Sequence, residues 1–598
     1  MRDLAHSKLM VLLTACTMVI ALAVPLAVTT LFPYAALAVQ PTRTSSSNNH
    51  PVCREIGKRI WASSGLQMWC FGPQPNGPSN ASTATTTSSF SSNVDAANPQ
   101  EDRTPSGVQV YGQSEVSIAA TGNYVVEAWN DATAFFSPCP SPMHKEEGTG
   151  YGFSANGGKS FTDEGGLPNA NCNADILAGD PSVEAWHPGG TAYFYVSSLY
   201  FPVSSGPGID PRTFVALSAC KATGTDSSAK ISCGQPIIAA ASTQCMTMNG
   251  STFCSGLDKE FLSIDPKRGR LYVSYTEFGV QPPPDNLAFG QIELAVCDIG
   301  TSSGGIGPVG GTAGKPVCFP GGHGSATHLS PPYFVVAPAP MCVNEGAYPA
   351  VDPATGDVYV AYEFNIISGL FPPCNALPMR NVVNYVPFSC LKLTPTSSCR
   401  GPAATNSVKI ISMVAANIPG YNRLPPVGPP DFPHIAVSDK SGTISIVWND
   451  ARQHPMGDIL LESFNLVSLS KVQNSPVRVN SDASGGLHFL PALRQADEHG
   501  NLNISYYQRN SPNTAITDVY ASPGINPRTT TSPSSSTLVT TTPTNWLNVS
   551  SDIIPNFGDY TDNYLVQSAT SSNTTLYVAW SDGRMGIPQP FEAHTQTT

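Results

Sequence analysis

The sequence predicts an all-β fold, a single β-propeller built from seven repeats. This prediction depends on a hairpin pattern that recurs along the chain, a composition rich in turn residues and a low content of charged residues. The chain of 598 residues contains 55 Pro and 51 Gly, and charged residues make up only 12%. A strongly helical protein would carry more Lys and Glu and fewer Pro and Gly. Because propellers grow by adding blades, this length is compatible with one domain.

Each repeat begins with a short apolar run, continues through a turn and ends in an alternating strand rich in Val, Tyr and Trp. This order is the sequence signature of a β-hairpin. The copies begin at Gln113, Asp180, Asp258, Asn344, Asp431, His488 and Gly558. Two further strands are expected after each hairpin, which gives four antiparallel strands per repeat. Seven such units predict a seven-bladed propeller, and a six-bladed ring with one irregular repeat is the alternative.

The two ends of the chain are expected to close the ring. The last repeat stops near Phe591 without an obvious fourth strand, and residues 108–111 are the candidate to supply it. We expect three regions along the chain. Residues 1–38 form a signal peptide or membrane anchor, residues 39–105 form a Ser/Thr-rich linker, and residues 106–598 form the propeller. The linker contains a small element, bounded by Cys53 and Cys70, with one short helix.

The N-terminus has the features of a secretory signal. Arg2 and Lys8 precede a long apolar run that ends in a small-x-small motif at residues 36–38. Two alternatives stay open: the run is long enough to remain as a membrane anchor, and the sequence around Cys16 resembles a lipoprotein cleavage site. The sequence favours a cleaved signal, and therefore a secreted protein; an uncleaved segment would instead attach the protein to the cell surface by an N-terminal anchor.

Cysteine usage supports export, because removal of Cys16 with the signal leaves an even number of cysteines. Their order along the chain favours disulfides between neighbours. The predicted pairs are Cys53 with Cys70, Cys139 with Cys172, Cys220 with Cys233, Cys245 with Cys254, Cys297 with Cys318, Cys342 with Cys374, and Cys390 with Cys399. Three of these pairs would join the third strand of a repeat to the fourth. No Cys-x-x-Cys pair favours a metal site instead.

Charge limits the classes of partner. The net charge is −12 and no cluster of Lys and Arg is present, which argues against a nucleic-acid partner. We expect an extracellular glycan or protein ligand, a monomer, and membrane contact only through an uncleaved N-terminal segment. Carboxylates could hold Ca²⁺, but no loop shows a recognisable ligand spacing and no zinc motif occurs, so we predict no cofactor and no metal.

One turn points to a family. Residues 154–161, SANGGKSF, resemble the Asp-box of sialidases and related propellers, Ser-x-Asp-x-Gly-x-Thr-Trp, with Asn, Ser and Phe in place of Asp, Thr and Trp. In that family the turn joins strands three and four, a polar side chain caps it, and the aromatic residue packs between sheets. With its repeated Trp-[Asn/Ser]-Asp strand ends, the chain resembles the sialidase-like (BNR-repeat) propeller superfamily from about Gln113 to the C-terminus.

The resemblance implies a catalytic constellation. A sialidase-type site uses three arginines on the substrate carboxylate, a tyrosine nucleophile activated by a glutamate, and an aspartate as acid/base. The candidates for these roles here are Arg452, Arg509, Arg584, Tyr560 and Asp562. The family's Arg-Ile-Pro segment near the first blade is absent, which removes the expected first arginine.

Carboxylates are expected to gather on one face of the propeller. The start of the first strand and the end of the second strand of every blade share this face, which we call the top face. Candidate ligand-binding residues on it are Asp131, Asp180, Glu277, Glu363, Asp450 and Asp582. Because Asp450 with Arg452 and Asp582 with Arg584 occupy equivalent places in two repeats, a structural clamp is the favoured interpretation of these pairs.

Two functions from different classes follow from these features. The first is a non-catalytic, secreted or cell-surface propeller that binds a glycan or protein through its top face. The second is an exo-sialidase-type glycoside hydrolase. The sequence favours the binding protein, because repetition makes a structural role more probable than a catalytic role for the paired Asp and Arg residues.

Overall fold

The computed structural model describes most of the chain from residue 50 onwards. The described residues are 50–55, 63, 66–67, 70, 89–100, 112–132, 148–172, 174–202, 211–248, 251–280, 288–300, 311–319, 334–337, 343–364, 380–391, 409–415, 432–454, 457–482, 486–509, 515–532, 535–552, 557–567 and 574–597. None of the helices in these ranges is long and apolar enough to cross a membrane. The predicted signal or anchor and the candidate closing strand at residues 108–111 lie outside them.

The strands form seven antiparallel sheets arranged as the blades of a propeller, together with one separate hairpin. A short helix α1 (Pro51–Glu55) and strand β1 (Val94–Asp95) precede the first complete blade. Blade one contains β2 (Gln113–Thr121), β3 (Tyr124–Asp131), β4 (Thr149–Ser154) and β5 (Thr162–Gly166). In blade two, β6 (Asp175–Leu177) and β7 (Ser182–Trp186) pair with β8 (Ala192–Pro202), and β9 (Phe214–Thr223) pairs with β10 (Lys230–Cys233) and β11 (Ile237–Ala241).

A hairpin of β12 (Cys245–Met248) and β13 (Ser251–Cys254) leads to the middle of the chain. Blade three contains β14 (Gly256–Asp265), β15 (Arg270–Val280), β16 (Ala288–Asp298), β17 (Val317–Phe319) and β18 (Phe334–Ala337). Blade four contains β19 (Glu345–Val351), β20 (Val358–Phe364), β21 (Arg380–Val386) and β22 (Lys409–Ala415). Blade five contains β23 (His434–Ser438), β24 (Thr443–Asp450), β25 (Asp458–Asn465) and β26 (Val477–Arg478).

The last two blades complete the ring. Blade six contains β27 (His488–Ala492), β28 (Leu502–Arg509), β29 (Ile516–Ile525), β30 (Thr537–Leu538) and β31 (Thr544–Asn545). Blade seven contains β32 (Asp562–Gln567), β33 (Thr574–Asp582) and β34 (Gln589–Thr597). Short 3₁₀ turns occur at Pro188–Gly190, Asp226–Ser228 and Trp546–Asn548. The all-β, seven-bladed prediction is confirmed, and the six-bladed alternative is excluded.

The ring closes by pairing the two ends of the propeller, as the missing fourth strand of the last repeat predicted. The strand that closes it is β1, in which Val94 pairs with Glu592 and Asp95 with Phe591. Closure therefore uses residues that the sequence assigned to the linker, and the propeller extends before residue 106. Sequence pattern misses this strand because two residues are too few to show alternation.

Tryptophans at the ends of second strands fill the spaces between blades. Trp129, Trp448 and Trp580 are almost completely buried. Trp129 shares a core with Tyr564 of blade seven, Trp448 packs in a core with blade four, and Trp580 packs in a core with blade six. Each tryptophan therefore packs in a core that its own blade shares with at least one neighbouring blade, as their recurrence in the repeats predicted.

Disulfides join strands at equivalent places in two blades. Cys220 lies directly opposite Cys233 on β9 and β10, and Cys297 lies opposite Cys318 on β16 and β17. The predicted link between third and fourth strands is thus confirmed in blades two and three. The predicted Cys53–Cys70 and Cys245–Cys254 bonds are also present.

The remaining disulfide predictions involve residues that the structure does not describe. Cys172 and Cys390 are disulfide-bonded, but their predicted partners, Cys139 and Cys399, lie outside the described residues. Both cysteines of the predicted Cys342–Cys374 pair also lie outside them. These three pairings therefore stay predictions.

The turn that carries the family resemblance lies between β4 and β5, the third and fourth strands of blade one. Asn156 caps it: its Oδ1 accepts hydrogen bonds from Ser154 Oγ at 2.9 Å and from the Ser160 backbone N–H at 3.1 Å. Phe161 packs at the edge of the adjacent core. Asparagine thus fills the capping role of the family's aspartate.

Candidate functional site

The innermost strands share a β-bulge close to the top face. Register shifts occur near the start of β2, β14, β19 and β27. Glu115, Lys259 and Leu490 take positive φ values of 56°, 55° and 47° at these bulges. Such φ values are costly for residues other than glycine and occur where the backbone redirects side chains. Charged side chains are thereby placed at the mouth of the central channel.

A buried lysine forms the centre of this arrangement. Lys259 of blade three is completely buried and forms an ion pair with Asp559 of blade seven, across the channel. Burial alone would lower the pKa of Lys259, but the surrounding carboxylates, led by Glu115 and Asp258, outweigh burial and raise it. The lysine therefore stays charged. We call the lysine and its carboxyl neighbours the central cluster, which consists of Lys259, Glu115, Asp180, Asp258, Glu260, Glu345 and Asp559.

Burial raises the pKa values of several carboxyl groups of the central cluster. Burial raises the pKa values of Glu260 and Glu345 well above the ordinary range, and neither side chain has a hydrogen-bond partner among the described residues. Burial, reinforced by the charges of Glu115 and Asp258, also raises the pKa of Asp180. The cluster therefore combines carboxyl groups in which burial favours the protonated form, such as Glu260 and Glu345, with a carboxylate that pairs with Lys259.

An arginine crosses the channel below the central cluster. Arg494 of blade six forms ion pairs with Asp562 of blade seven and, at 3.3 Å, with Glu184 of blade two. Its guanidinium also donates to Ser117 Oγ of blade one and Ser182 Oγ of blade two, both at 3.3 Å. One side chain therefore links four blades at the axis, and its charge is compensated within the channel.

Polar side chains also connect neighbouring innermost strands. Asp562 Oδ2 accepts a hydrogen bond from the Ile118 N–H at 3.1 Å, and Ser117 Oγ accepts one from the Val183 N–H at 3.0 Å. Ser182 Oγ similarly accepts from the Leu262 N–H at 3.0 Å. Each oxygen thus satisfies a backbone donor of the next blade, which fixes the innermost strands around the axis.

The structure holds Arg452 and Arg584 in the clamps that their repetition predicted. Asp450 accepts hydrogen bonds from Trp448 Nε1 and the Arg452 N–H, both at 2.9 Å, and pairs with the Arg452 guanidinium at 2.7 Å. Asp582 binds Trp580 and Arg584 in the same pattern.

The clamp arginines and the third predicted arginine belong to different blades. The Arg584 guanidinium extends to Thr541 of blade six and to Asn93 near β1. Arg509 ends strand β28 of blade six. No described contact joins Arg452, Arg509 and Arg584 to one another. Their proposed role on a substrate carboxylate stays a prediction.

Tyr560 and Asp562 lie in the channel, as candidate catalytic residues should. The Tyr560 hydroxyl donates to the Pro181 carbonyl at 3.1 Å, and its ring meets Phe261 edge-on. Burial raises the pKa of Tyr560 well above its ordinary value, and the charge of Asp180 adds to this effect. Asp562 is the partner of Arg494. The channel therefore contains both candidates. The Asp562 carboxylate, however, already binds the Arg494 guanidinium and the Ser117 hydroxyl.

The predicted face residues lie near one edge of the sheets. Three of them lie opposite the start of the innermost strand of their own blade: Asp131 pairs with Gln113, Glu277 with Leu257, and Glu363 with Glu345. Glu277 accepts hydrogen bonds from the N–H groups of Thr243 and Gln244, at 2.5 and 3.0 Å, and so fixes the segment that leads into the β12–β13 hairpin. Within the described part of the chain, no group of three or more metal-ligating side chains lies close enough to hold an ion.

Two important residues of this site escaped sequence reasoning. Lys259 stands between Asp258 and Glu260, a pattern typical of a solvated turn. Arg494 follows Leu493 at a place where most other repeats have small or apolar residues. The only signal for either was a basic residue within an innermost strand (Lys259) or just after one (Arg494), where a charge must find a buried partner.

Comparison with known proteins finds similarity to solved structures only. No family model matches the chain, and no curated protein matches it. Among solved structures, it is similar to the GH93 alpha-L-arabinofuranosidase of Fusarium graminearum in complex with arabinobiose. The TM-score is 0.38 at 11% identity, over 85% of this chain and 98% of that one.

Two further solved structures show the same likeness. Trypanosoma rangeli sialidase in complex with the inhibitor DANA gives a TM-score of 0.29 at 8% identity, over 85% of this chain and 60% of that one. An alpha-L-arabinofuranosidase from Lactobacillus brevis gives 0.27 at 12% identity, over 62% of this chain and 97% of that one. The expected propeller fold is confirmed by the seven blades themselves, and residue roles depend on the contacts of this chain.

Proposed function

We propose that the chain is an exported propeller that binds an uncharged glycan at the central cluster of its top face. The observation that carries this proposal is the excess of carboxyl groups over cations around Lys259, including the unpartnered side chains of Glu260 and Glu345. Carboxyl oxygens bind sugar hydroxyls through hydrogen bonds, whether they donate or accept. Disulfides in several blades support export, because such bonds persist in oxidising compartments.

Charge distinguishes the classes of glycan. A ligand carboxylate placed about 5 Å from one uncompensated carboxylate would be disfavoured by about 3 kcal/mol at an effective dielectric constant of about 20. A sialic acid therefore suits the central cluster less well than a neutral sugar. A protein ligand, the other predicted class, suits it less well too, because protein interfaces are broad whereas the cluster is confined to the central channel.

The test compares two buried glutamates that both lack a hydrogen-bond partner in the described structure. Glu345 belongs to the central cluster, whereas Glu127 lies on β3 of blade one. Calorimetry with a panel of uncharged oligosaccharides should show binding to the unaltered chain and about tenfold weaker binding to Glu345→Gln. The reason is that one buried hydrogen bond between the Glu345 carboxyl group and a sugar hydroxyl is worth about 1.5 kcal/mol. Glu127→Gln should bind normally. Equal affinity of both variants would contradict the proposed site.

Glycoside hydrolysis on the same site is the second candidate function. It is favoured by two kinds of carboxyl environment in one cluster: burial raises the pKa values of Glu260 and Glu345, whereas Asp559 forms an ion pair with Lys259. Retaining and inverting glycosidases use one carboxyl group of each kind. Fluorogenic sialosides and uncharged glycosides should be tested together. If the unaltered chain hydrolyses an uncharged glycoside and Asp559→Asn does not, the hydrolase function is established. Hydrolysis of the sialoside would support the sialidase alternative instead.

A further inference from the structure

The central cluster is in contact with a segment from outside the blades. The N-terminal element comprises helix α1 and the described residues up to Cys70, and the Cys53–Cys70 disulfide closes it. The backbone N–H of Ser63 donates a hydrogen bond to Asp258 Oδ2 at 2.9 Å. Ser63 is completely buried, and its own Oγ accepts from the Leu66 N–H at 3.0 Å. A residue that the sequence assigned to a linker thus binds a carboxylate of the candidate site.

Apolar contacts hold this element at the top face of blade three. Val52 and Leu66 are buried, and a Cβ atom at Gly256, the first residue of β14, would lie 3.5 and 3.6 Å from their methyl groups. The His50 ring meets Phe253 of the β12–β13 hairpin edge-on at 5.5 Å. The hairpin in turn is positioned by Glu277 through Ser255 and Thr243. The Ser63 contact is therefore supported from two sides.

We propose that the N-terminal element is an intramolecular occupant of the central site, which must leave Asp258 before a glycan can bind there. The inference rests on the proposed function, since it concerns the same carboxyl groups. A backbone N–H on Asp258 takes the place that a sugar hydroxyl would take, because both are hydrogen-bond donors. The element is joined covalently to the propeller, so its effective concentration is high and a free ligand must compete with it.

The closure itself can be measured without any ligand. A water-soluble carbodiimide with a small amine labels accessible carboxyl groups, and mass spectrometry gives the labelling rate of Asp258. In the full, oxidised chain we expect slow labelling of Asp258. Leu66→Glu places a charge in the apolar contact with Gly256 and should increase the rate about tenfold or more, because local opening then costs less.

A matched control introduces the same change where no contact is lost. Leu547 is an exposed leucine of the 3₁₀ turn after β31, 60% accessible, and Leu547→Glu should leave the Asp258 rate unchanged. Ser63→Pro provides a second opening variant, because proline lacks the N–H that binds Asp258. Equal labelling of Asp258 in the unaltered chain and in both opening variants would overturn the inference.

Ligand binding then separates this inference from the proposed function. If both hold, Leu66→Glu should bind an uncharged oligosaccharide at least about tenfold more tightly than the unaltered chain. Faster labelling of Asp258 without glycan binding in any variant would refute the proposed function and leave the closure supported. Glycan binding of equal affinity in the open and unaltered chains would refute the occupant and leave the proposed function intact.

Discussion

Replacing the arginine that crosses the channel tests the description of the propeller axis. Arg494→Met removes the guanidinium that pairs with Asp562 and Glu184, and both carboxyl groups remain almost completely buried. Removing one partner of a buried ion pair costs about 3–5 kcal/mol, because the other charge is left uncompensated. We therefore expect the free energy of unfolding at pH 8 to fall by about that amount.

The pH dependence of this loss follows from the same carboxyl groups. Burial already raises the pKa values of Asp562 and Glu184, and Arg494 opposes that effect. Without the arginine their folded-state pKa values rise further above the unfolded values, so stability is lost as pH rises. Near pH 5 the protonated carboxyls need no counter-charge, and the loss should be smaller than at pH 8.

Urea titration followed by tryptophan fluorescence, at pH 5 and pH 8, measures both quantities. Lys440→Met is the control, because Lys440 is an exposed lysine in the turn between β23 and β24. It should cost less than about 1 kcal/mol at either pH. A loss below about 1 kcal/mol for Arg494→Met at pH 8, or an equal loss at both pH values, would refute the reasoning.

Three other perturbations have definite outcomes. Replacing Cys220 and Cys233 by serine removes a disulfide between residues 13 apart in sequence and should lower the free energy of unfolding by about 3 kcal/mol. An unchanged thermal midpoint would contradict this expectation. Burial raises the pKa of Glu592 to about 7, so its contribution to stability is lost as the pH rises from about 4.5 to about 7. In urea titrations Glu592→Gln should remove about 3 kcal/mol of the stability change over that pH range. An unchanged pH dependence would disprove the assignment. Arg584→Ala should lower the thermal midpoint, and Arg584→Lys should recover only part of it, because lysine lacks the guanidinium fork; full recovery would argue against a clamp.

The repeat and its radial arrangement could be predicted from sequence because their signals are local. Alternation in strands such as β24, a turn and a terminal tryptophan occur within about twenty residues and define each blade. Disulfides between Cys220 and Cys233 and between Cys297 and Cys318 could be predicted for the same reason, since each joins adjacent strands. The family resemblance added the turn at residues 154–161, which the structure places between strands three and four.

The centre of the site could not be predicted because it depends on residues that only the closed ring brings together. Lys259 and Asp559 are 300 positions apart in sequence, and no local pattern indicates that they meet across the channel. Sequence reasoning instead named Arg452 and Arg584 as site candidates, while favouring a structural clamp for them, and their partners lie two positions away. The contact between Ser63 and Asp258 was equally inaccessible, because no local pattern in the Cys53–Cys70 element indicates which blade it meets.

The most direct test of the central claim is binding of a matched pair of glycans, identical except for a terminal sialic acid, to one immobilised preparation of the Leu66→Glu chain. An excess of carboxyl groups around Lys259 predicts that the uncharged glycan binds and that its sialylated counterpart binds at least about tenfold more weakly at low ionic strength. Tighter binding of the sialylated glycan would contradict the claim and would place a cationic subsite, instead of the central cluster, at the centre of recognition.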